Sequence, residues 1–154
     1  MNIGNHYPYF DRHPHYALGR YACLRLMIIA SQERVLTGLL APLRCVGGIE
    51  VVGIRPTISE ASQIDPTVRP QLALVDLGDP VSPNYEELAA LHNQAPTLPI
   101  VVLAAQYQRG VLDQIYRTGV RAFLTQDVGL PLLVETLHTV HHGGVGFIVK
   151  MGRG

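Results

Sequence analysis

Charged side chains are scarce in this chain. Lys, Arg, Asp and Glu make up 16% of it, against about 25% in an average domain. Twelve bases balance twelve acids, and a zero net charge excludes a general electrostatic grip on nucleic acid or an anionic membrane. Cysteine is nearly absent. Cys23 and Cys45 stand alone, at a spacing that fits no metal or redox motif. Two reduced thiols point to a cytoplasmic protein. No apolar run reaches the roughly 18 residues of a membrane span. The N-terminus lacks a basic segment followed by an apolar one, so it reads as no signal peptide. Repeats, low-complexity stretches, nucleophile–base pairs and cofactor loops are also missing, which leaves an enzyme the least favoured class.

What remains is apolar. Hydrophobic residues are 47% of 154, the size of one domain. Such a chain can bury roughly 70% of its unfolded surface. With so little charge it should hide surface under helices or against a partner.

The centre of the pattern is Leu72-Ala73-Leu74-Val75-Asp76-Leu77-Gly78-Asp79-Pro80. An unbroken apolar run stopped by turn residues reads as a strand covered on both faces. Asp76 then sits at its carboxyl end, where ligands collect in open α/β sheets. Similar runs occur at Leu26–Ala30, Ile49–Ile54, Pro99–Ala105 and Val120–Leu124.

Helical patterns alternate with these strands. The first spans about Glu33 to Cys45, with Ser31 as an N-cap type and Pro42 expected to kink it near Gly38. The others cover about Ile58–Ile64, Tyr85–Asn93 with Asn84 as cap, Arg109–Thr118 and Leu130–His142. Five strands alternating with five helices predict a doubly wound parallel sheet. Residues 1–24, rich in Tyr, His and Pro, read as an arm, and 148–154 as a tail or linker start.

The order Leu26–Ala30, Ile49–Gly53, Arg69–Leu77 with Pro80, Pro99–Ala105, Gly119-Val120-Arg121-Ala122-Phe123-Leu124 and His142-Gly143-Gly144 resembles the receiver domain of bacterial response regulators. It is most similar to receivers that precede a helix-turn-helix output domain. The resemblance spans about residues 25–147 and implies a flavodoxin-like sheet of order 2-1-3-4-5.

By the same resemblance Asp76 is the phosphoacceptor equivalent and Phe123 the switch aromatic. Ser31 and Gln32 replace the two acids that hold Mg2+, Ala104 replaces the Thr or Ser, and Gln126 replaces the lysine. Mg2+ binding is expected to be lost, and no cofactor or metal is expected. Glu33 and Asp79 lie near enough in sequence to substitute, but a helix N-terminus and a turn account for them better. The expected role is an atypical receiver in signal transduction and transcription control, acting by protein contact. The expected partners are a second copy in a homodimer, or an output domain, with no direct contact to nucleic acid or membrane. Related receivers pair near the fourth and fifth helices, here including Ile115, Arg121 and Leu133. A working phospho-receiver in a phosphorelay, or a small-molecule sensor using the near-neutral cleft, are the alternatives.

His138, His141 and His142 share one side of the last helix. A metal site or pH sensor is possible there on spacing alone. Neutral or cationic side chains at a helix C-terminus account for them more simply.

Overall fold

The computed structural model describes residues 23–61, 67–78, 84–107 and 110–148. Residues 1–22 of the expected arm and the helix segment at 62–64 lie outside these residues, as do Asp79, Pro80 and Arg109; Leu24, assigned to the arm, is instead the buried first residue of the first strand.

The strands are β1 (Leu24–Ile29), β2 (Ile49–Arg55), β3 (Leu72–Asp76), β4 (Ile100–Ala104), β5 (Ala122–Thr125) and β6 (Gly146–Ile148). The helices are α1 (Glu33–Cys45), α2 (Ile58–Ala61), α3 (Tyr85–Gln94), α4 (Val111–Arg117) and α5 (Leu130–His141). All strands pair in parallel in the order β2-β1-β3-β4-β5-β6. The expected five-stranded order is present. A sixth strand extends it, at the point where the sequence pattern suggested a tail. Three residues after a glycine pair are too short a run to carry a period.

The apolar runs are continuous because both faces of the sheet are covered. Alternate side chains point to opposite faces. Leu26, Ile28, Leu74, Val101, Leu103 and Leu124 pack on one side with Leu43 of α1 and Leu133, Leu137 and Val140 of α5. Met27, Ile29, Val75, Val102 and Phe123 pack on the other with Leu88 and Leu91 of α3 and Ile115 of α4. One residue's shift in register would exchange the two sets, so the pattern pins the pairing.

Local chemistry sets the helix ends. Asn84 caps α3: its Oδ1 accepts from the Glu87 amide at 3.0 Å. Thr57 caps α2, its Oγ1 accepting from the Glu60 amide at 3.2 Å. The Thr-x-x-Glu spacing is a legible start signal that the sequence reading passed over. Ser31 is not the cap of α1. Gln32 holds that position without a side-chain cap bond, and Ser31 is exposed. Its neighbour Ala30 is still tied to β2, its amide donating to the Arg55 carbonyl at 3.0 Å. That tie leaves the helix to begin one residue later than the cap signal suggested. The helix α1 continues through Pro42 to Cys45.

The proposed pairing face also changes. Ile115 is fully buried and Leu133 is 4% exposed. Both side chains are spent in the monomer's core, so neither is available to a partner. Arg121 stays exposed, and the large apolar group displayed on α4 is Tyr116, 56% exposed. Ile115 lies on the side of α4 that packs on the sheet.

Candidate functional site

The strand order reverses between β1 and β3, which makes the gap beside their carboxyl ends the switch point of the fold. Four segments converge there. β3 ends at Asp76, in register with Leu103 of β4. β4 ends at Ala104, in register with Thr125 of β5. The chain then leaves β5 through Gln126, whose amide still donates to the Ala104 carbonyl at 2.8 Å. Thr125 Oγ1 donates to Asp127 Oδ1 at 2.6 Å, which ties the turn and leaves Gln126 directed along the top of the sheet.

From that position Gln126 Nε2 donates to Asp76 Oδ1 at 2.5 Å. The Gly78 amide also donates to the Asp76 carboxylate. Gly78 has φ +71, a left-handed conformation that costs a side-chain-bearing residue. Its carbonyl accepts from the Ala105 amide at 2.5 Å, so the turn after β3 is locked to β4. The Gln32 side chain reaches the same turn, with Nε2 3.8 Å from where a Gly78 Cβ would lie. Gly78 was legible only as a turn residue. Its service to Asp76 required the folded turn.

Asp76 is half-buried, and burial raises its pKa above the usual carboxylate value. The Gln126 and Gly78 hydrogen bonds pull it back down without cancelling the shift. No cation stands among these causes. Ser31 and Gln32 are exposed at the end of β1, and Ala104 is fully buried. Phe123 is fully buried on the α3–α4 face. The structure therefore brings Asp76, Gln126 and the Gln32 side chain to one turn. It assigns Phe123 to the core beneath.

Among the described residues, no three His, Cys, Asp or Glu side chains are grouped as metal ligands. The histidines of α5 do not make such a group. His138 is 3% exposed, and burial, then His142 and His141, lower its pKa to about 4. It is therefore neutral at physiological pH, the neutral version of the simpler reading. The His142 Nδ1 lies 2.7 Å from the His138 carbonyl, and the rings of His141 and His142 meet edge to face at 5.2 Å.

No family model matches the sequence. The chain is 22% identical over 122 residues to the transcriptional regulatory protein LnrK of Bacillus subtilis, covering 79% of this chain and 56% of that protein. The signal receiver domain of the response regulator NarL from Mycobacterium tuberculosis superposes with a TM-score of 0.70 at 19% identity, covering 80% of this chain and 99% of that one. A LuxR-family two-component response regulator from Aurantimonas sp. SI85-9A1 gives 0.71 at 16% identity, over 82% and 90% of the two chains. The fold is that of a response-regulator receiver domain. The chain spans about half the length of the curated relatives it matches. Among the described residues no helix is long and apolar enough to cross a membrane.

Proposed function

We propose that this chain is the receiver part of a cytoplasmic signalling regulator that works through protein contact and does not take a phosphoryl group at Asp76. One observation carries the reading: a neutral amide, Gln126, is bonded to Asp76 where the receiver resemblance implies a lysine. Phosphoryl transfer depends on positioning and on neutralising charge. Mg2+ takes hard oxygen ligands and is usually held by one or two carboxylates. The residues present do not fit that ion. Ser31 and Gln32 offer neutral oxygens, Ala104 offers a methyl group, and Asp76 already carries its single charge in a site that disfavours it. Among the described residues no cation figures in the causes that set the Asp76 pKa, so an added phosphoryl group would bring negative charge that none of them offsets. No phosphorylation step is therefore assigned to Mg2+ here.

LnrK is described as a transcriptional regulatory protein, and the receiver covers only part of it. Transcription control through an output domain, on the same polypeptide or a separate one, is the corresponding role for this chain. A homodimer would supply the second contact, with the exposed Arg121 on the α4 side.

The experiment is incubation with acetyl phosphate and Mg2+, followed by intact-mass measurement. The unaltered protein is expected to show no added phosphoryl group. A variant carrying Ser31→Asp, Gln32→Asp, Ala104→Thr and Gln126→Lys together is expected to gain one at Asp76. Phosphorylation of Asp76 in the unaltered protein would overturn the proposal.

A further inference from the structure

Gln126 has a second neighbourhood. On the α1–α5 side of the sheet it lines a cavity of about 360 Å3. Helix α1 contributes Arg34, Gly38 and Pro42 to its wall, and the sheet and α5 contribute Leu103 and Leu133. That volume lies at the small end of ligand pockets, which run from about 300 to 1,000 Å3.

Two helix-weakening residues of α1 line the cavity. Gly38 has no side chain, and a Cβ built there meets nothing within 4 Å. Pro42 has no amide hydrogen, so the Gly38 carbonyl lacks its helical donor. Glycine and proline are the poorest helix formers. Here both occur four residues apart and both line the same cavity. A helix that only had to cover the sheet would gain stability from alanine or leucine at either position.

The charge at the rim is of one sign. Among the described residues the ion pairs are Arg25–Glu50 and Arg117–Asp113, and the exposed Arg34 has no carboxylate partner in either. The polar lining is then a guanidinium and the Gln126 amide, both able to donate to an anion.

We propose that this cavity binds a small amphiphilic carboxylate. Its apolar body lies against Pro42, Leu103 and Leu133, and its carboxylate is held by Arg34 with help from Gln126. The Asp76 carboxylate is the other acceptor that Gln126 serves, so it disfavours the anion on that side. The anion's place is therefore at Arg34. Occupation competes for the amide that now holds Asp76, which links the cavity to the acceptor end of the sheet. The proposal is independent of whether Asp76 can be phosphorylated.

The test is titration of the full chain with octanoate and with 2-naphthoate, followed by calorimetry and by amide chemical shifts. Octan-1-ol serves as the uncharged control. Saturable binding at millimolar concentration or below is expected, with shifts at the Gly38 amide and the Gln126 side chain. Arg34→Gln is expected to weaken binding about tenfold or more. Gly38→Leu fills the cavity and is expected to abolish binding while the circular dichroism stays native. Absence of saturable binding by both carboxylates would overturn the proposal. So would binding by either variant as tight as by the unaltered protein, or octan-1-ol binding as tightly as octanoate.

Discussion

At Asp76 burial and hydrogen bonding pull in opposite directions, and burial wins. The native carboxyl holds its proton more tightly than the unfolded one, whose value is 3.8. Stability therefore falls as pH rises from 3.8 through the raised native value and is level above it. Gln126 limits that loss. Gln126→Leu is expected to destabilise the protein by about 1–3 kcal/mol near neutral pH, the cost of leaving a half-buried carboxylate short of a donor. The loss should shrink as pH falls through the Asp76 pKa, because the protonated acid needs the donor less. Urea denaturation near pH 7 and near pH 4 checks this; an equal loss at both would remove the carboxylate from the explanation. Asp76 was legible as the acid ending a buried strand. Its bond to Gln126, fifty residues away, was not, because adjacency across β4 exists only once the sheet has formed.

Among the elements, caps were legible unevenly: Asn84 was read, Thr57 was not, and the Ser31 cap did not form. The Asn84 cap follows from residue type and position, and the structure places its Oδ1 on the Glu87 amide. Asn84→Ala is expected to cost about 1 kcal/mol of stability, read as a lower urea midpoint with an unchanged slope. The last helix carries a clearer pH signature. His138 has a native pKa of about 4 against 6.5 unfolded. Its contribution is full above 6.5 and is lost as pH falls toward about 4. The linkage arithmetic sets an upper limit of between about 3 and 4 kcal/mol. His141, also lowered by burial and by His142, works in the same direction. Thermal melts between pH 7 and pH 5 should show this decline, and His138→Leu should flatten it. A decline of the same size in both proteins would assign it elsewhere. Spacing put the three histidines on one side of α5. It could not tell that this side turns His138 inward, since inward and outward faces differ only by what packs there.

For the whole molecule, the sixth strand is the main addition to the sequence reading. β6 pairs with β5 through Ala122–Gly146, Phe123–Phe147 and Leu124–Ile148. Ending the chain after Val145 would strip that edge and leave β5 unpaired on one side. The truncated protein is expected to melt at lower temperature and to self-associate more readily, by differential scanning calorimetry and light scattering. An unchanged melting temperature would show β6 to be dispensable.

The order of the first five strands was an expectation carried by the resemblance to receiver domains; the sequence by itself determined the alternation of buried strands and covering helices and the acid at the end of β3. Those features depend on period, run length and turn chemistry, all of which are local along the chain. Tertiary structure alone decided that Ile115 faces inward, that Gln126 holds Asp76, and that Gly38, Pro42 and Arg34 wall a cavity. Each of these is a meeting between segments far apart in sequence, and packing rather than propensity chooses such neighbours.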